Sequence, residues 1–158
     1  AVPGYARDML THAQEEAMLV LTDSNLWALH DDIIAAYERG VSIGALLTGS
    51  AHLEVGEVSH HPPLESELHK LADSLVVVVD EQEVLIANSQ PSDYTATVTT
   101  NANMVQIGRQ FVWMELFTHR ILTQLGPDLL DRLTPRDRSV FESISGHSKT
   151  PSTDTDHK

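Results

Sequence analysis

The chain of 158 residues contains no cysteine, which excludes disulfides and thiolate metal sites. Aromatic residues are only 5% against 41% hydrophobic residues overall, so the core is mostly aliphatic. Lysine is scarce as well, occurring only at Lys70, Lys149 and Lys158. Ten basic residues face twenty-three acidic ones, for a formal net charge of −13. A surface of this sign repels a phosphate backbone and argues against direct DNA contact by these residues. Long apolar runs are missing too, and nothing approaches the roughly 18 to 20 apolar residues that span a bilayer. Residues 1–20 scatter Arg7, Asp8, His12, Glu15 and Glu16 among apolar positions, unlike a signal peptide. These deficits predict a soluble, cytoplasmic protein of one domain with no membrane partner. The acidity has a sharper reading. It suits a salt-adapted protein, whose carboxylates keep the surface hydrated and whose self-repulsion is screened by high salt.

What is present is a succession of buried strands and amphipathic helices. YARDMLTHAQEEA (5–17) sets Tyr5, Met9, Leu10, Ala13 and Ala17 on one stripe and predicts a helix. MLVLT (18–22) has the continuous apolar character of a buried strand. Asp23, Ser24 and Asn25 offer capping side chains for a helix from about Leu26 to Glu38, ended by Arg39 and Gly40. VSIGALLTG (41–49) is a second buried strand, so the chain opens with a β-α-β unit whose strands run parallel. HLEVGEVSHHPP (52–63) predicts a short exposed strand and a loop, and LESELHKLAD (64–73) a short helix. SLVVVVDEQEVLIA (74–87) reads as a β-hairpin turning at Glu81-Gln82-Glu83, with Asp80 starting the turn. YTATVTT (94–100) is a further, β-branched strand. Asn101 or Asn103 caps a long helix to about Leu125, ended by Gly126-Pro127, and PDLLDRL follows as a weaker helix. Residues 143–158 carry almost no apolar side chain and are expected to form a disordered tail, leaving 1–142 as the domain.

The long helix is apolar on two sides. Met104, Ile107, Phe111, Met114, Ile121 and Leu125 follow three-four spacing, while Val105, Val112, Trp113, Leu116, Phe117 and Leu122 add a second flank. Such a helix is either central in its domain or shared with a partner. The expectation is that one flank packs on the sheet while Met104, Ile107, Phe111 and Met114 form a homodimer interface.

Three segments, YERGVSIGALLTG, SLVVVVDEQEVLIANS and TTNANMVQIGRQFVWMELF, carry a resemblance. Over residues 5–125 the chain resembles the C-terminal domain of archaeal TrmB-type transcriptional regulators. That resemblance implies an α/β fold of phospholipase D type: a mixed sheet flanked by helices, ending in the long helix. It also implies an effector-sensing and dimerisation domain for a small metabolite such as a sugar or sugar phosphate. DNA would be bound only through a separate winged-helix domain, of which no segment is legible here. A haloarchaeal source would fit the charge.

The catalytic motif of the phospholipase D superfamily is His-x-Lys-x4-Asp. Counting back from Asp80 puts Leu75 where the lysine belongs and Asp73 where the histidine belongs. Leucine supplies no cation and an aspartate repels a phosphodiester. The expected protein is therefore no enzyme. His60-His61, with His52 and His69 near in sequence, match no metal-ligand spacing and read as surface histidines, so neither a metal nor a cofactor is expected. Ligands of open α/β sheets lie past the carboxyl ends of parallel strands. That rule nominates Asp23, Ser24, Asn25, Thr48 and Ser50, joined by Asp80 if the hairpin brings it near, a polar set suited to a polyol. Helix capping and a plain turn are the competing reading of these residues. Two other functions stay open: a degenerate hydrolase, and a dimerisation module without a ligand.

Overall fold

The computed structural model describes residues 2–60, 73–88 and 95–144. Its strands are β1 (Glu16–Thr22), β2 (Ser42–Thr48), β3 (Glu57–His60), β4 (Ser74–Val79), β5 (Glu83–Asn88) and β6 (Ala96–Thr99). The described helices are α1 (Val2–His12), α2 (Asp23–Glu38), α3 (Ala102–Arg132) and α4 (Pro135–Ile144). One mixed sheet has the order β3-β2-β1-β4-β5-β6. β1 pairs in parallel with β2, and β2 with β3. β4 lies antiparallel to β1, and the β4–β5–β6 pairs are antiparallel.

The central strands read as unbroken apolar runs because both of their faces are covered. On one face, Leu19, Leu21, Ala45, Leu47, Leu75, Val77 and Leu85 meet Leu10 of α1 and Leu29 and Ile33 of α2. On the other, Met18, Val20, Leu46, Val76, Val78 and Val84 meet Val105, Val112 and Leu116 of α3. Each fully buried side chain of this size contributes about 1.5 to 3 kcal/mol relative to exposure. The described residues thus form a three-layer α/β/α sandwich in which, among them, α3 covers one face of the sheet.

Several boundaries differ from the sequence expectation, each for a local reason. α1 stops at His12, short of residue 17, because the Arg39 guanidinium donates to the carbonyls of Leu10, Thr11 and Ala13 at its end. Residue 39 therefore caps one helix with its side chain while ending another with its backbone. β1 begins at Glu16, paired with Ser42. α2 starts at Asp23, and its cap is Thr22, whose Oγ1 accepts from Asn25 N–H at 3.3 Å.

The long helix is capped by Asn101, whose side chain accepts from Met104 N–H at 3.1 Å. It kinks at Gly126 (φ 43°, ψ −133°) and resumes through the segment expected to be a weaker helix. Proline tolerates that restart because the first helical position needs no N–H donor. α4 was not anticipated and overlaps the start of the expected tail. Its signal is Thr134-Pro135-Arg136-Asp137: Thr134 Oγ1 accepts from Asp137 N–H at 3.2 Å and donates to Asp137 Oδ2 at 2.7 Å. The helix expected at 64–73, apart from Asp73, and residues 145–158 lie outside the described residues.

Candidate functional site

The carboxyl ends of β1 and β2 do bring together Asp23, Ser24, Asn25, Thr48 and Ser50. Asp23 is already engaged there. Its carboxylate accepts from the Ala51 N–H at 3.0 Å and the Ser50 N–H at 3.2 Å. These bonds, that from Ala51 foremost, hold its pKa below the usual carboxylate range. The turn they clamp contains Gly49 at φ 121°, where a Cβ would lie 2.3 Å from the Asp23 carboxylate. Ser24 Oγ is 3.1 Å from Thr22 Oγ1. Thr48 Oγ1 is buried and has no hydrogen-bond partner among the described residues.

Asp80 does not join this group. β4 is antiparallel to β1, so Asp80 sits at the amino end of β1, about 20 Å away along a seven-residue strand. Its carboxylate accepts from the backbone N–H groups of Gln14, Glu15 and Glu16 at 2.7 to 3.2 Å. Burial pushes its pKa up, the three N–H donors pull it down, and the net shift is downward. Asp80 is thus a staple between the hairpin and the β1 entry, more than a turn residue. Of the two positions where the superfamily motif needs its cation and histidine, Leu75 is buried in the core and Asp73 is exposed.

Histidines 52 and 60 meet edge to face with centroids 5.3 Å apart, and His60 Nε2 lies 3.1 Å from the Ala51 carbonyl. Among the described residues no three potential ligands converge on a metal position. His61 and His69 lie outside the described residues.

The sequence did not suggest a cleft on the α3 face. A half-open cleft of 240 Å³ runs between α3 and the amino ends of β1 and β2. Trp113 and Phe117 wall it, their rings stacked with centroids 5.1 Å apart and planes 14° apart. Met18, Gly44 and Leu116 form its floor. Two ion pairs stand at its rim: Arg109 donates to both Glu16 oxygens at 2.7 and 2.9 Å, and Arg120 pairs with Glu57. Arg109 also reaches Glu81 at 3.1 Å. One signal was available. The two arginines are eleven residues apart, about three helical turns, on a helix whose only other acidic or basic residues before its Gly126 kink are Glu115 and His119.

The outer side of α3 is uncharged and open, with large apolar side chains among Asn103, Gln106, Gln110 and Thr118. Met104 is 46% exposed, Ile107 65% and Met114 45%. Phe111, grouped with them in the sequence, instead leans against the α3–sheet core.

The sequence model described as "Transcriptional regulator TrmB, EBD N-terminal subdomain" matches residues 1–115. The chain belongs to this TrmB effector-binding-domain family. No curated protein matches it. Among solved structures, the TrmB-type domain is similar to TrmBL2, described as an archaeal chromatin protein with a novel mode of DNA binding. The TM-score is 0.57 at 21% identity, over 74% of this chain and 48% of that one. The TrmB-type domain therefore spans about half the length of TrmBL2. NucT from Helicobacter pylori is similar with TM-score 0.56 at 11% identity, covering 73% of this chain and 87% of that one. Nuc from Salmonella typhimurium, a phospholipase D family member, gives TM-score 0.54 at 9% identity, over 73% and 86%. At such identities the likeness is one of fold: the TrmB-type domain has the phospholipase D-like architecture expected from its sequence.

Proposed function

We propose that this TrmB-type domain is a non-catalytic sensor and dimerisation unit of a transcriptional regulator. It pairs with a second copy through the outer side of α3 and binds a small metabolite. Ligand binding favours one dimer arrangement and so repositions winged-helix domains carried outside these residues, which make the DNA contacts. A salt-adapted archaeal cytoplasm suits its acidity.

The observation that carries the reading is the uncharged outer line of α3. Every arginine and glutamate between residues 102 and 125 has a partner in the same chain: Arg109 pairs with Glu16 and Arg120 with Glu57, while Glu115 lies 3.2 Å from the His119 ring nitrogen. What faces outward is Met104, Ile107 and Met114 among the uncharged Asn103, Gln106, Gln110 and Thr118. A two-fold interface sets this patch against its own copy, and in a chain of charge −13 an uncharged patch adds no local repulsion to that contact. The absence of catalysis is supported by Leu75, whose burial leaves no phosphate-gripping cation on that strand.

Sedimentation velocity tests the pairing. The wild type is expected to be a dimer and Ile107→Glu/Met114→Glu a folded monomer. A double variant that stays dimeric removes α3 as the interface. Hydrolysis of a chromogenic phosphodiester is expected at background, and turnover lost on Asp80→Ala would overturn the non-catalytic reading.

A further inference from the structure

The cleft walled by Trp113 and Phe117 is unassigned by anything in the family match, and its chemistry defines an occupant. Resting on the sensor reading above, we infer that it binds a neutral, flat aromatic or heteroaromatic molecule bearing a hydroxyl or amino group at its edge.

The walls set the shape. Trp113 is 42% exposed and Phe117 47%, so among the described residues the stacked pair presents open ring surface to the cleft. Ring systems stack on such faces with sequence-independent geometry. The floor is closed by side chains packed over Gly44. This glycine is the one residue without a side chain in β2, a strand otherwise rich in buried aliphatics. A Cβ there would meet Met18 Sδ at 2.7 Å and Leu116 Cδ1 at 3.2 Å. The close approach that this glycine permits is that of Met18 and Leu116, which make the floor a continuous apolar surface. The volume of 240 Å³ falls below the roughly 300 Å³ where drug-sized sites begin, and suits one or two fused rings.

The rim sets the charge. Glu16 is neutralised by Arg109 and Glu57 by Arg120. An anion would face two carboxylates and a cation would compete with two arginines, whereas a neutral molecule disturbs neither pair. Each carboxylate keeps lone pairs beyond those its arginine uses, so a ligand hydroxyl or amine can donate to them. A saccharide fits less well, because its hydroxyls would be buried against Met18, Ile43 and Leu116 without partners. The inferred occupant therefore differs in class and place from the polyol expected beside Asp23.

Calorimetric titration of the full chain with 2-naphthol, naphthalene-2-sulfonate and maltose tests this. 2-Naphthol is expected to bind saturably, and the other two at least tenfold more weakly. The chain has two tryptophans, so its ¹H–¹⁵N spectrum has two indole signals, assigned by Trp27→Phe. 2-Naphthol should shift the Trp113 signal and leave Trp27 unmoved. Phe117→Ala is expected to raise Kd at least tenfold, while Phe117→Tyr stays within threefold. Ser42→Phe, placed at the exposed mouth, should weaken binding too, which keeps the test decisive if Phe117→Ala fails to fold. No saturable binding, tighter binding of maltose, or an unchanged Kd in Phe117→Ala and Ser42→Phe overturns the site. Saturable binding at Trp113 that leaves the sedimentation of the dimer unchanged upholds the site and removes the sensor reading instead.

Discussion

Single carboxylates do much of the positioning in this domain. Asp80 fastens three consecutive backbone N–H groups at the entry of β1, and loss of hydrogen bonds to one charged group typically costs about 1.5 to 3 kcal/mol. Asp80→Ala should therefore lower unfolding free energy by about 2 kcal/mol in urea titrations. The pH dependence follows from the depressed carboxyl. A group whose folded pKa lies below its unfolded value contributes fully above the unfolded pKa, near 3.9 for Asp, and loses that contribution as pH falls through the folded value. Wild type should accordingly lose stability faster than Asp80→Asn as pH drops below about 4. The adjacent Glu81 presents the opposite case. It holds φ 55°, left-handed backbone for which it is poorly suited. Glu81→Gly should raise stability by up to about 1 kcal/mol, reduced by loss of the half-exposed pair with Arg109. A decrease in the unfolding midpoint would show that the ion pair outweighs the strain.

At the scale of elements, what was legible depended on whether the information was local. The strands of the β-α-β unit and the hairpin were readable because covering both faces demands unbroken runs such as Val76 to Val79, and no other constraint competes. The end of α1 was unreadable because Arg39, from another helix, sets it. Asp80 was grouped with Asp23 because its nearness to that end of the sheet depended on how the hairpin pairs with β1. The aromatic cleft was missed for a similar reason. Trp113 and Phe117 look like core by periodicity, yet the helix rotation that buries Val105, Val112 and Leu116 leaves them on the flank. The same rotation separates two kinds of apolar residue on α3 that composition cannot distinguish. Val112→Ala, at a fully buried position, should cost about 2 kcal/mol of domain stability. Ile107→Ser should change the stability of the monomer by less than about 0.5 kcal/mol while weakening self-association. Denaturation at a protein concentration below the dimer dissociation constant separates the two, since dimerisation otherwise adds to apparent stability by mass action.

At the scale of the whole molecule, charge opposes the proposed pairing, and salt should decide between them. Each copy carries −13, so the proposed dimer would assemble −26 from two bodies that repel before they touch. The outer line of α3 carries no charge of its own to offset this, because its arginines are spent on Glu16 and Glu57 within the same chain. The Debye length falls from about 10 Å at 0.1 M salt to about 3 Å at 1 M. Raising salt over that range removes most of the long-range repulsion and leaves apolar burial between the two helices nearly untouched, so self-association should tighten. An interface built on ion pairs across the two-fold axis would behave in the opposite way, since screening weakens attraction as readily as repulsion. Sedimentation equilibrium at 0.1, 0.3 and 1 M NaCl therefore reads the character of the interface. A dissociation constant that falls about tenfold or more across the series is expected for the apolar α3 pairing, and one that rises would place the contact on charged surface elsewhere in the fold.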